Sequence, residues 1–385
     1  MKTKLKALYF LYGTTISIIA LQILVGVEKG FDENLLLKIS ALLPLLLLLG
    51  PFWGYLSDKT NKTKPYIMLS GVIIFLGGFG MCFGNQNLYL FGEFCMYLGV
   101  SMLITNTDKL TNILCLSTDF SYGELFMFHA IGVICGCLFT MFLPLKESMW
   151  VVLFSGLFII LVSYTLGKEA LKMEVTKDDS KLKELFYNSG FILVLIISFL
   201  VVSQAQACES LLLGRYAKHY GAVTQIGVIL GVGCEIVYSK LSCQFDENKK
   251  VKNGLYFAII TLIIGYSILL IAPVVDAKYG KVAFYIGAIL KSGSYGLALP
   301  LLMGIVSRIV PKKFIGTASS LIISSGTAFG SVVLGQILNM HSESFIWILS
   351  IFISFNVLAI PFIYFLHIVI NKKLLNKKLV YQNRH

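Results

Sequence analysis

Charge is scarce in this chain of 385 residues: only 14% are Asp, Glu, Lys or Arg, against about 25% in a typical soluble domain. With 57% hydrophobic residues, a soluble fold of this length would expose far more apolar surface than it could bury. Histidine is also rare, at 5 residues, and none is spaced with Cys as metal ligands are, so no metal is expected. None of the 8 cysteines forms a Cys-x-x-Cys pair; all lie in or beside apolar segments and read as buried thiols. The phosphate-cradling pattern Gly-x-x-x-x-Gly-Lys-Ser/Thr is missing, which argues against ATP drive by this chain. No nucleophile motif appears, so the chain does not read as an enzyme and implies no cofactor. A cleavable leader is not expected either. Met1–Lys6 is basic, but the apolar run Ala7–Val25 is too long and lacks a small-residue cleavage site, so it reads as a retained span.

What is present is length in apolar runs. Twelve stretches are each long enough to cross a bilayer, at roughly 7–27, 35–55, 66–84, 88–113, 124–143, 149–167, 189–212, 224–243, 253–273, 281–304, 316–338 and 345–370. Between the sixth and seventh, Lys168–Tyr187 is polar and mixed in charge. The expected organisation is a six-helix bundle over 1–167, a cytoplasmic linker over 168–188, a second six-helix bundle over 189–370 and a basic tail over 371–385. The net charge of +12 comes largely from Lys and Arg at the termini and in alternate loops. That is the positive-inside pattern, and it places both termini in the cytoplasm of a cell membrane. No basic stripe lies on a soluble domain, so nucleic acid is not an expected partner.

The loop after the second span is the densest signal. It reads Gly54-Tyr-Leu-Ser-Asp58-Lys59-Thr-Asn-Lys62-Thr-Lys64. A weaker echo, Leu241-Ser242-Cys243-Gln244 with Lys249-Lys250, follows the eighth span. Gly123, Gly132 and Gly136 in span five similarly echo Gly316, Gly326 and Gly330 in span eleven. Internal repeats of this kind place a binding site at the repeat interface. The loop resembles the signature Gly-x-x-x-Asp-(Arg/Lys)-x-Gly-x-(Arg/Lys)-(Arg/Lys) of the major facilitator superfamily, matched by Gly54, Asp58, Lys59 and Lys64. Asn61 stands at the second glycine and is suited to positive φ. Gly50-Pro51-Phe-Trp53-Gly54 and Tyr122-Gly123-Glu-Leu-Phe126-Met-Phe128 resemble the branch of lactose permease, phenylpropionate permeases and nucleoside symporters. Aligned on Gly123, the sugar-binding carboxylate of lactose permease falls on Asp108, but its arginine partner falls on Phe126. Of the Lys-x-x-His-x-x-Glu pattern in that permease's tenth span, only Lys291 is present.

Charges inside a bilayer cost a few kcal/mol or more and need a reason. In span four, Glu93, Tyr97, Ser101, Thr105, Asp108 and Asn112 fall on one helix face. They form either one wall of an aqueous cavity or a hydrogen-bonded packing stripe. A second reading of Asp108 with the adjacent Lys109 is a marker of the cytoplasmic end, and Glu93 lies near enough to the outer end to reach water. Glu235 in span eight can take up a proton in dry surroundings and release it in wet ones, with Lys291 of span ten as a possible partner. His129 in span five titrates near neutrality when unperturbed, and Gln206 in span seven can donate to a polar solute. Asp58 is suited to a helix N-terminus or a basic side chain, favouring one arrangement of helices. Lys59, Lys62 and Lys64 would hold their loop in the cytoplasm, near anionic lipid.

The resemblance and the residues together imply an all-α, twelve-span, pseudo-symmetric membrane protein. The expected function is proton-coupled uptake of a small polar or amphipathic solute by alternating access, as a monomer in the lipid bilayer. The alternatives are an exporter of the same fold and a non-transporting receptor or assembly protein.

Overall fold

The computed structural model describes residues 1–19, 21–40, 42–117, 121–166, 182–247, 250–329 and 345–382. Most of the expected linker lies outside these residues, as do Gly330 and much of the end of span eleven. The first half comprises α1 (Lys2–Ile16), α2 (Gln22–Glu28), α3 (Glu33–Ser40), a 3-10 segment (Leu43–Leu49), α4 (Gly50–Thr60), α5 (Lys64–Phe83), α6 (Gln86–Ser117), α7 (Tyr122–Phe142) and α8 (Trp150–Thr165). The second comprises α9 (Lys183–Tyr187), α10 (Ser189–Ala207), a π segment (Cys208–Leu213), α11 (Gly214–Tyr220), α12 (Thr224–Glu247), α13 (Val251–Val275), α14 (Gly280–Ile309), α15 (Ile315–Ile323), a second π segment (Ser324–Phe329) and α16 (Phe345–Gln382). Among the described residues there are 9 helices long and apolar enough to cross a membrane. They cover nine of the expected spans.

Of the remaining three, spans one and seven are helical but interrupted, and the described part of span eleven passes from α-helix to π-helix at Ser324. In span one the cause is local. Thr14, Thr15 and Ser17 turn their hydroxyls onto the carbonyls of Phe10, Leu11 and Thr14 at 2.9, 2.8 and 2.8 Å. Such back-bonding, with β-branched neighbours, weakens the helix where α1 ends. Span two also differs from an unbroken helix, because Leu43–Leu49 winds as 3-10 around Pro44.

Helix ends are satisfied by side chains where the chain supplies them. Ser121 accepts from the Glu124 amide at 3.4 Å and caps the N-terminus of α7. Asn61 closes α4 at φ 50°, the left-handed region expected of it. Lys64 Nζ donates to the carbonyls of Tyr164 and Leu166 at 2.9 and 2.8 Å, and Lys4 Nζ also donates to Thr165 O. The C-terminus of α8, rich in unpaired carbonyls, is thus held by cations from α5 and α1.

Spans four and ten, built on α6 and α14, are the most deeply buried. Leu76, Phe79, Phe139, Ile264 and Leu358, on other spans, are exposed and suit a lipid surround. The halves meet chiefly where α4 and α6 pack on α15, where the 3-10 segment meets the second π segment, and where α7 packs on α12 and α14.

Candidate functional site

Asp58 sits at one end of the first of these contacts, in the last turn of α4. Its Oδ2 accepts from the Thr317 amide at 2.7 Å and from Thr317 Oγ1 at 2.6 Å; its Oδ1 accepts from the Gly316 amide at 3.3 Å. An acid of α4 thereby caps the N-terminus of α15, in the other half. Unpaired amides and the helix dipole both favour negative charge there. Lys109 Nζ lies 3.0 Å from Asp58 Oδ1 and donates to Ser57 O at 2.9 Å. Lys109 is therefore a buried ion-pair partner rather than a marker of the helix end. Gly54 and Gly316 let the helices approach: a Cβ at Gly54 would fall 2.7 Å from Gly316 O. Lys59 and Lys62 are exposed beside this latch.

On the opposite edge, the start of α7 meets α12 without a carboxylate. Ser121 Oγ donates to Cys243 Sγ at 2.7 Å, and a side chain at Gly123 would run into Ser239 and Ser242. The echo loop's nearby acid, Asp246, pairs instead with Arg308 at 2.5 Å, within its own half.

Deeper in, Asp108 is fully buried and accepts from Tyr122 Oη at 2.5 Å and from Tyr9 Oη, both onto Oδ1. Its Oδ2 has no partner among the described residues. Two tyrosine hydroxyls thus stand where the resemblance would place a guanidinium. Glu235 projects from α12 against Gly296 of α14, and its Oε1 lies 3.6 Å from His129 Nδ1 on α7. This places one acid and one imidazole face to face across the two halves, a pairing the sequence did not suggest. Tyr12 lies within electrostatic reach of both Asp108 and Glu235. Aromatic rings run between the two acids: Tyr9 to Tyr122 at 6.2 Å, Tyr122 to Phe126 at 6.2 Å, Phe126 to His129 at 5.1 Å and His129 to Tyr12 at 4.8 Å. Phe126 also meets Tyr295 of α14 at 5.9 Å.

The polar stripe on α6 is buried from Glu93 to Asn112 in this arrangement. Thr105 donates to Gly50 O at 3.4 Å, and Asn112 Nδ2 donates to Ser319 Oγ of α15 at 2.7 Å. Glu93 is likewise enclosed, and does not reach water as its position near the outer end suggested. Lys291 is buried on α14, and the side chain of Gln206 lies outside the described ones. Sequence reasoning missed Tyr9 and Tyr12 as site residues. The available signal was hydroxyl-bearing rings inside a span rather than at its ends.

A helical membrane protein whose two halves meet around buried acids, with a charged latch at one end, defines the class of polytopic transporters. Residues 7–335 match the Major Facilitator Superfamily, and the chain belongs to that family. It is 21% identical over 315 residues to the uncharacterized transporter YwbF of Bacillus subtilis (strain 168), covering 79% of this chain and 76% of that one. Its fold is similar to a bacterial homologue of the iron transporter ferroportin in an outward-facing state, with TM-score 0.72, 15% identity, and 95% and 98% of the two chains covered. The nucleoside transporter NupG aligns with TM-score 0.62, 15% identity, and 96% and 98% coverage. The human organic anion transporter MFSD10 aligns with TM-score 0.69, 14% identity, and 94% and 97% coverage.

Proposed function

We propose that this multi-pass transporter works by proton-coupled uptake of a small polar or amphipathic solute, of the sugar, nucleoside or aromatic-acid kind. Asp108 and Glu235 carry the protons, and the units 1–167 and 189–370 rock about the central cluster as a monomer in the cell membrane. The carrying observation is that each half contributes one buried carboxylate, and that a run of aromatic rings joins the two across the interface. A carboxylate enclosed without a cation beside it costs less neutral than charged, and rewetting reverses that preference. His129, facing Glu235, is the group to which a proton can pass. In this reading Lys291, Gln206, Thr105 and Asn112 serve solute binding. The likeness to NupG supports a nucleoside among the candidates. Asp58 and its loop set which arrangement of the halves is favoured.

The test is uptake into proteoliposomes under an imposed pH gradient, with the solute first found by thermal-shift screening of the purified protein. Asp108→Asn and Glu235→Gln are expected to abolish pH-driven accumulation while leaving membrane insertion intact. Normal accumulation in both variants would overturn the proposal.

A further inference from the structure

Glu93 lies on α6 about 22 Å from Asp108 along the helix at 1.5 Å per residue, so it belongs to a separate locality. It is fully buried, within the first half. Its Oε2 accepts from Ser40 Oγ at 3.2 Å, while its Oε1 has no partner among the described residues. Gln22 is also buried, at 3% exposure, with its amide oxygen Oε1 likewise unpartnered. The two are linked through α6: Tyr89, one turn before Glu93, donates its Oη to Gln22 O at 2.5 Å, and Tyr97, one turn after it, lies near the Gln22 side chain.

The charge of Glu93 is not balanced by a side chain. Among the described residues the hydrogen-bond partner of Glu93 is Ser40, and none of the ion pairs includes it. Lys29, just beyond the C-terminal end of α2, is committed to the carbonyls of Met81 and Cys82 at 2.6 and 2.8 Å. Lys38 of α3 is exposed. The facing titratable groups are Tyr89 and Tyr97 on α6 itself, with Lys29 of α2 and Cys82 of α5 gathered around the Tyr89 ring. An enclosed carboxylate in this setting is neutralised either by a proton or by a counter-ion.

The backbone adds a second feature. Gln22 opens α2 just after the break in span one, and Ser40 closes α3 just before the 3-10 segment of span two. Interrupted membrane helices are where carbonyls released from the helix ladder bind ions.

We propose that Glu93, Gln22 and Ser40 form a binding site for an alkali-metal cation, Na+ being the probe of choice, distinct from the central cluster. The donors are a carboxylate, an amide oxygen and a hydroxyl, all hard oxygens suited to main-group cations rather than to transition metals. A single carboxylate neutralises a monovalent ion, whereas a divalent ion would leave net charge buried.

The experiment is a thermal-shift titration of the purified full-length protein with NaCl at pH 8, ionic strength being held with choline chloride. Direct binding of radioactive sodium to the wild-type protein accompanies it. The expected result is a saturable rise in Tm that choline does not give, and saturable sodium binding near one ion per chain. Glu93→Gln is expected to abolish both, and Gln22→Ala to weaken sodium affinity several-fold. No saturable binding to the wild type overturns the proposal whatever the variants do, so a variant that fails to fold does not shield it. An undiminished sodium response in Glu93→Gln also overturns it. So does stabilisation on lowering the pH to 6 that depends on Glu93 without any sodium response, which would assign a proton to this carboxylate. None of these readouts uses transport, so they stand or fall independently of the proposed uptake.

Discussion

Asp58 and Lys109 are both almost fully buried, with side-chain exposures of 1% and 6%. Removing one buried charge strands the other, a loss of about 3–5 kcal/mol. Asp58→Asn keeps the shape but leaves Lys109 unpaired and the first turn of α15 facing a neutral amide. The arrangement closed at the Asp58 latch should weaken by about 3 kcal/mol, more than a hundredfold in population. Transport is expected to slow markedly while solute affinity, read by titration, changes little; a large loss of affinity would count against a switching role. The fitness of Asp58 for a helix N-terminus was legible in the sequence, because an isolated acid in a basic loop needs a partner. Its partners were not, because Gly316 and Thr317 lie in the other half and carry no charge to advertise them. Tyr9 was hidden for a related reason: a tyrosine among apolar residues reads as packing until the carboxylate it serves is seen.

Helices α4 and α15 cross at two glycines, so the contact is backbone to backbone and cannot yield by turning a side chain. A Cβ at Gly54 meets Gly316 O at 2.7 Å and Ser320 Oγ at 2.8 Å, both closer than ordinary contact. Gly54→Val should therefore push these helices apart at a cost of about 1–3 kcal/mol. Cysteines placed along the cytoplasmic part of α6 should then react faster with a membrane-impermeant thiol reagent added from inside. Unchanged reactivity would show that this crossing does not govern access. Most helices could be placed from apolar run length alone. The breaks in spans one and two could not, because they arise from hydroxyl back-bonding and 3-10 winding within segments that remain uniformly apolar or weakly polar.

The whole molecule places Asn112 of α6 within 2.7 Å of Ser319 on α15, a contact that rocking must break. In a background with the native cysteines replaced, Asn112→Cys with Ser319→Cys should form a disulfide that stops transport, and a reductant should restore it. Full activity of the cross-linked protein would exclude rocking at this interface. In the sequence the expected division into halves rests on a polar interval between two sets of spans, and the expected repeat on two related loops. What the repeat concealed is that its two copies are not used alike. The seam between the halves has one edge held by a carboxylate on a helix N-terminus and another closed by Ser121, Cys243 and a glycine. An edge held only by neutral groups parts at lower cost than one held by charge in a buried setting. Opening is therefore expected to be lopsided, a door swinging from the α7–α12 jamb with the Asp58 edge as the last hinge to let go.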